Sequence, residues 1–195
     1  MILLALTALA LLLSLLMGGR LERLAQVHFR GSSLILFALG IQVVIFSSLW
    51  QRWVGASPWS QVLYVLSLFL LGVASWLNRR VPGVVLLASG LLLNAAVILA
   101  NGGHMPTSFQ ALRSAGIVEP GATFESLRVT NSSLIDETTP LWFLGDIFAV
   151  PKALPLANVF SVGDVLIGLG AAWFLLANMR VPRLRSPGQD KAHNL

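Results

Sequence analysis

Read from its amino end, the chain is a succession of apolar stretches separated by polar connections. The runs cover Ile2 to Met17, Ser33 to Trp50, Gln61 to Leu77, Gly83 to Ala100 and Ser161 to Asn178, each of 16 to 18 residues. A strand buried on both faces stops after about 4–8 residues, whereas a helix needs about 20 to cross a hydrocarbon layer of ~30 Å. The runs therefore predict helices of membrane-spanning length, with ends that can lie a turn beyond each run. The first lacks both the basic start and the small-residue cleavage site of a secretory signal, so it reads as a retained helix. The expected fold class is all-α: a polytopic membrane bundle of five transmembrane helices forming one domain over residues 1–180, with a long extracytoplasmic loop at 101–160 and a disordered cytoplasmic tail at 181–195.

Composition agrees with that pattern. Of 195 residues, 56% are hydrophobic and 11% charged, and a mean hydropathy of +0.80 excludes a soluble globule or a disordered chain. There is no cysteine, which excludes disulfides, thiolate catalysis and cysteine-held metal clusters.

The net charge of +5 is explained by where the basic residues fall. Arg20, Arg23 and Arg30 lie in the first connection, Arg52 in the second, Arg79 and Arg80 in the third, Arg113, Arg128 and Lys152 in the fourth, and Arg180, Arg183, Arg185 and Lys191 in the tail. With an odd number of spans, cytoplasmic enrichment of Lys and Arg puts the amino terminus outside and the carboxyl terminus inside, nine positives facing in against four facing out. This is the arrangement of a multi-pass membrane protein with its carboxyl terminus in the cytoplasm. The basic excess thus marks orientation, membrane lipid is an expected contact, and nucleic acid is not. Trp50, Trp53, Trp59 and Trp142 fall near the outer surface and Trp76 beside the inner Arg pair, as an aromatic belt requires.

The outer loop is far longer than most connections, which predicts a folded element carrying function. It opens with the turn cluster Asn101-Gly102-Gly103-His104-Met105-Pro106, after which Thr107 or Ser108 is placed to cap a short amphipathic helix through Phe109, Leu112 and Ile117. A second such stretch is expected through Phe124 and Leu127. Leu141 to Pro151 is eleven apolar residues long apart from Asp146. That is too short to span and suits an interfacial or re-entrant segment.

Asp164 lies about one turn inside the last run and is the only acid within any of the five. Gly168, Ala171 and Ala172 share its helical face, which directs the carboxylate into the bundle. At ~1.5 Å per residue, Gln42, Ser67, Asn94 and Asp164 all fall roughly 5 to 11 Å below the outer surface. An intramembrane carboxylate is expensive and marks a functional site by default. Two acids meeting at a membrane surface have the chemistry of an aspartyl protease, one ionised to take a proton from water and one protonated to polarise a peptide carbonyl. In that reading Asp146 and Asp164 are catalytic, and Gln42, Asn94, Asn101 and Ser161 orient substrate or the acids. The structural alternative is that Asp164 accepts hydrogen bonds from Gln42, Asn94 or a loop Arg, or caps the last helix. His28, His104 and His193 lie in separate connections or the tail, so no metal site and no cofactor are expected.

At these residues the sequence resembles lipoprotein signal peptidase, a bacterial intramembrane aspartyl protease. Phe160-Ser161-Val162-Gly163-Asp164, with Ile167 and Gly170, is similar to the motif Phe-Asn-x-Ala-Asp that opens the last helix of that family, and Gly145-Asp146-Ile147-Phe148 to its other Asp segment. The likeness covers about 30 of 195 residues. Ser161 stands for the motif Asn and Gly163 for its Ala, five spans replace four, and no Gly-Asn-x-x-Asp-Arg element precedes Asp146. The chain as a whole resembles a family of bacterial integral membrane proteins of unknown function, through Gly18 to Leu21, Asn101-Gly102-Gly103, Met105-Pro106 and the two Asp elements. The first resemblance implies an outer-face peptidase acting on a membrane-anchored peptide or lipid-linked substrate. The alternative is a non-enzymatic subunit or assembly factor of a membrane complex, with the loop docking a partner membrane protein.

Overall fold

The computed structural model describes residues 2–55, 57–118 and 132–179. The expected stretch through Phe124 and Leu127 and the tail from 181 on lie outside them. Within them the chain is mostly helical: α1 (Ile2–Leu16), α2 (Ser32–Ile45), α3 (Ser48–Trp53), α4 (Pro58–Leu77), α5 (Val84–Ala100), α6 (Phe109–Ser114) and α7 (Val162–Met179). Short strands β1 (Met105–Thr107), β2 (Ser132–Leu134), β3 (Phe148–Val150) and β4 (Asn158–Phe160) interrupt the outer loop, so the fold is not purely α. The segment around Asp146 is a 3-10 turn at Trp142–Leu144 leading into β3.

Among the described residues two helices, Pro58–Leu77 and Val162–Met179, are long and apolar enough to cross a membrane. Ser57 caps the first by accepting from Ser60 N, with Pro58 at the first helical position, where its missing N–H costs nothing. This starts α4 three residues ahead of the apolar run. The run expected to reach Trp50 instead breaks at Phe46. Ser47 then caps α3 by accepting from Trp50 N, and the Trp50 indole donates to Ser60 Oγ of α4 at 2.9 Å.

α7 packs between α1 and α5, α5 against α4, and α4 against α2. The two closest crossings are made by glycines seven apart, which share one helical face. Gly83 and Gly90 of the α5 segment meet Gly163 and Gly170 of the α7 segment backbone to backbone; a Cβ on Gly170 would lie 2.5 Å from Leu87 N. Gly168 turns to α1 instead, where a Cβ would lie 2.6 Å from Leu6 Cδ1. Many of the buried positions are small or polar, among them Ala10, Ser14, Ala38, Ser67, Ala74 and Ala95, with Ile45, Val97 and Met179 also buried, whereas Leu36, Phe37, Leu49, Trp53, Trp59, Phe69 and Trp76 are exposed.

Helix ends gather at two poles. At one, Arg20 N donates to Met179 O, and the Asn78 side chain bonds both backbone groups of Arg30. At the other lie both site acids, with Asn101 bonded to the carbonyl of Pro140 in the loop.

Candidate functional site

The two acids are brought together by one hairpin. β3 and β4 pair antiparallel with Phe148 opposite Phe160, and their rings stack at 5.5 Å. Asp146 lies two residues before Phe148 and Asp164 four residues after Phe160. The antiparallel register therefore returns the chain from one acid to the other at the same end of the ribbon.

Asp146 is held by its backbone. Its N–H donates to Pro106 O at 2.8 Å and its carbonyl accepts from Ser108 N at 3.0 Å, so it bridges Thr107 of β1 in parallel, while β2 pairs with the other edge of β1. Gly145 lies against Pro106 O too closely to admit a Cβ. Ser108 is the residue that caps α6, accepting from Ala111 N. Among the described residues no side chain or backbone N–H donates to the Asp146 carboxyl. Burial first, and then the negative charge of Asp164, raises its pKa from the ordinary carboxylate value to about 7.

Asp164 is held by its side chain. Ser161 Oγ accepts from Asp164 N at 3.0 Å, and Asp164 Oδ2 reaches back to Ser161 N at 3.3 Å. This is a reciprocal capping box with Asp in the acidic position, and it starts α7. The other oxygen, Oδ1, accepts from Asn94 Nδ2 of α5 at 2.9 Å, and Asn94 Oδ1 accepts from the Ser161 hydroxyl at 2.8 Å. Ser161 is fully buried. The three side chains close a ring joining α5 to α7, and neither Lys nor Arg enters it.

Of the expected site residues, Asp164, Asn94 and Ser161 are thus bonded together, and Asp146 lies near enough to feel the charge of Asp164. Gln42 is not among them: its amide donates to Ser67 Oγ at 3.2 Å between α2 and α4, so the polar layer expected at one depth divides into two separate groups. Asn101 is a clamp, donating to Val97 O at 2.8 Å and Pro140 O at 2.9 Å. Two contributors had no signal as polar residues. Gly163 leaves the space that Asn94 Oδ1 occupies, since a Cβ there would overlap it, and Pro106 offers Asp146 a backbone carbonyl. The Gly next to each acid was the trace either left in the sequence. Among the described residues no group of three or more His, Asp or Glu is placed to hold a metal ion.

A model for a family of unknown function, DUF5317, matches residues 26–176. An uncharacterized protein of Thermotoga maritima is 29% identical over 175 residues, which cover 88% of each chain. No solved structure matches.

Proposed function

This chain belongs to the DUF5317 family, and we propose that it is a five-span integral membrane protein of the bacterial cytoplasmic membrane. Its amino terminus and acid-bearing pole face out and its arginine-bearing pole faces in. α1, α2 and α5 are shorter than the two longest helices, at 15, 14 and 17 residues, but predominantly apolar and without a charged residue. The exposed Leu, Phe and Trp of the bundle support lipid contact on all sides. Because the chain has no cysteine, single cysteines at Arg52, Arg80 and Gln110 give a clean test: a membrane-impermeant maleimide should label the first and third in intact cells and leave the second unlabelled.

The activity the site supports best is acid–base hydrolysis at the outer face by Asp146 and Asp164, on a membrane-anchored peptide or lipid-linked substrate. One observation carries it: a half-buried carboxyl without a hydrogen-bond donor, its pKa raised to about 7 in part by a second acid. Asp164, accepting from Asn94 and Ser161 through both oxygens, is oriented to take a proton from water. Asp146, holding its proton near neutrality, is the donor to the substrate carbonyl or leaving group. Asn94 and Ser161 are positioning residues, and the similarity of both Asp segments to lipoprotein signal peptidase supports the same assignment. The test is cleavage of lipid-anchored peptides by the purified chain in nanodiscs, read by mass spectrometry. Asp146→Asn and Asp164→Asn should each abolish it, and wild-type cleavage should fall as pH rises above about 7. Cleavage that survives either substitution, or a carboxyl separation too wide for one shared water, sinks the enzyme.

A second reading is a subunit or assembly factor, favoured by the complete capping box at Asp164 and by Trp142, Phe143, Phe148, Leu154 and Leu156 exposed on the outer cap. In that case Asp164→Asn keeps function while substitutions on the cap abolish partner binding.

A further inference from the structure

At the opposite pole from the acids lies a cavity of about 210 Å³, lined by residues of α2, α4, α5 and α7 together with Phe29, Asn78 and Gly83. Its walls are apolar apart from Ser75 and Asn78. Asn78 is spent on the protein itself: its amide donates to Arg30 O and Ala74 O and accepts from Arg30 N. An apolar cavity of this size stays dry and takes hydrocarbon.

Three arginines interleave with the lining. Arg30 follows Phe29, and its backbone is tied at both N and O to Asn78; Arg79 and Arg80 lie between Asn78 and Gly83. All three side chains are exposed, and none pairs with an acid among the described residues. Arg79 is fixed by stacking over the Trp76 ring at 4.5 Å and by donating to Trp76 O at 3.0 Å. Trp76 itself is 68% exposed, on the outer side of the helix that lines the cavity with Leu71, Ala74 and Ser75. The lining is thus apolar, and three exposed cationic residues adjoin it along the chain, beside Phe29, Asn78 and Gly83.

We propose that this cavity is a binding site for an anionic phospholipid of the cytoplasmic leaflet, one acyl chain entering between α2, α4, α5 and α7 and the phosphate resting on Arg30, Arg79 and Arg80. Charge complementarity selects the occupant, because a zwitterionic lipid offers the same chain but gains little from three guanidinium groups that no acid neutralises. Basic pockets between spans on this side of a membrane recognise such headgroups. The site depends on the membrane placement proposed above and is independent of the chemistry assigned to the acids.

The test uses the full chain purified in detergent, with brominated-chain phosphatidylglycerol and brominated-chain phosphatidylcholine as probes and quenching of Trp76 as readout, the other tryptophans being replaced by Phe. Phosphatidylglycerol should quench at concentrations at least about tenfold lower than phosphatidylcholine. The Arg30→Gln, Arg79→Gln, Arg80→Gln triple variant, which alters exposed side chains only, should bring the two lipids within about twofold. Val84→Phe, filling the cavity, should weaken both, and glycerol phosphate, a headgroup without a chain, should not compete. Equal quenching by the two lipids in the parent protein, preference retained by the triple variant, or competition by glycerol phosphate overturns the proposal. Carbonate extraction of cell membranes separates the two possible failures. A chain that resists extraction yet shows no lipid preference loses this site alone, whereas a chain released by carbonate loses the membrane placement with it.

Discussion

Each pole of the bundle carries an asparagine that ties separate elements together, but only one of the two knots is closed. Asn78, 3% exposed, spends its amide on Arg30 N, Arg30 O and Ala74 O, all within 2.8 Å. Nothing titratable remains inside it. Asn94 makes an equally short pair of bonds, to Asp164 and Ser161, and leaves Asp146 beside the ring with no donor for its carboxyl. A closed knot holds a loop in place, and its removal costs stability alone. An open knot holds a loop and keeps one acid in reserve, a protonation state stabilised by burial rather than by a partner. The difference separates a polar group kept for packing from one available for chemistry.

The comparison is broken first by destroying the crossing of α5 and α7, which the Asn94 ring joins at its outer end. Gly83 sits at φ 85°, and a methyl there would overlap Gly170 O and lie 2.7 Å from Phe174 N. Gly83→Ala should therefore cost at least about 4 kcal/mol, combining a strained backbone with an overpacked contact between two backbones. It is expected to eliminate the folded monomer in size-exclusion chromatography. Gly72→Ala is the control: a Cβ there meets nothing within 4 Å, and helix propensity predicts a gain of up to about 1 kcal/mol.

Opening the closed knot comes next. Asn78→Ala removes three short hydrogen bonds at a buried site and leaves both backbone groups of Arg30 to find other partners, at about 3 kcal/mol. Thermal unfolding in detergent measures it, and the loss should not vary between pH 5 and 8. Asn94→Ala should cost less, about 2 kcal/mol, because the capping box between Ser161 and Asp164 survives it. The sharper measurement is a double-mutant cycle of Asn94→Ala with Asp164→Asn, where contact predicts a non-additive total. An additive result would mean that the ring is not a unit.

Much of this was legible in the sequence, and what was not has identifiable causes. The five apolar runs each contain an apolar helix, and the Ser108 cap and the acid in the first turn of α7 follow from residue type alone, whereas the start of α4 at Ser57-Pro58 lies ahead of its run. The division of the second run into α2 and α3 was hidden, because Phe46-Ser47-Ser48 keeps the run apolar enough while Ser47 ends one helix and caps the next. The meeting of Asp146 with Asp164 was an expectation from depth. What produces it is the pairing of Phe148 with Phe160, a three-residue ribbon too short for its alternation to stand out from an apolar run. Gln42 failed for a related reason: depth along a helix says nothing about azimuth, and α2 faces α4 rather than α7. Asn94 reaches Asp164 because Gly163 and Gly90 bring α5 and α7 into contact at its level.

The smallest effect has the opposite sign and tests the open knot most directly. A carboxyl titrates near pH ~3.9 in an unfolded chain, whereas Asp146 in the folded protein is pushed up to about 7, first by burial and then by Asp164. Between those two values the folded state binds more protons than the unfolded one, so stability falls as pH rises. Its contribution is complete below pH ~4 and lost as pH passes through about 7. Asn is uncharged throughout. Asp146→Asn should accordingly change little at pH 4 and stabilise the protein at pH 8, by on the order of 1 kcal/mol at a half-buried site that water still reaches. Since part of the elevation comes from Asp164, the gain at pH 8 should shrink when Asp146→Asn is made in an Asp164→Asn background. A gain of the same size in both backgrounds would assign the elevation to burial alone. The two acids would then be neighbours in space without acting on each other, and the outer knot would be as inert as the inner one.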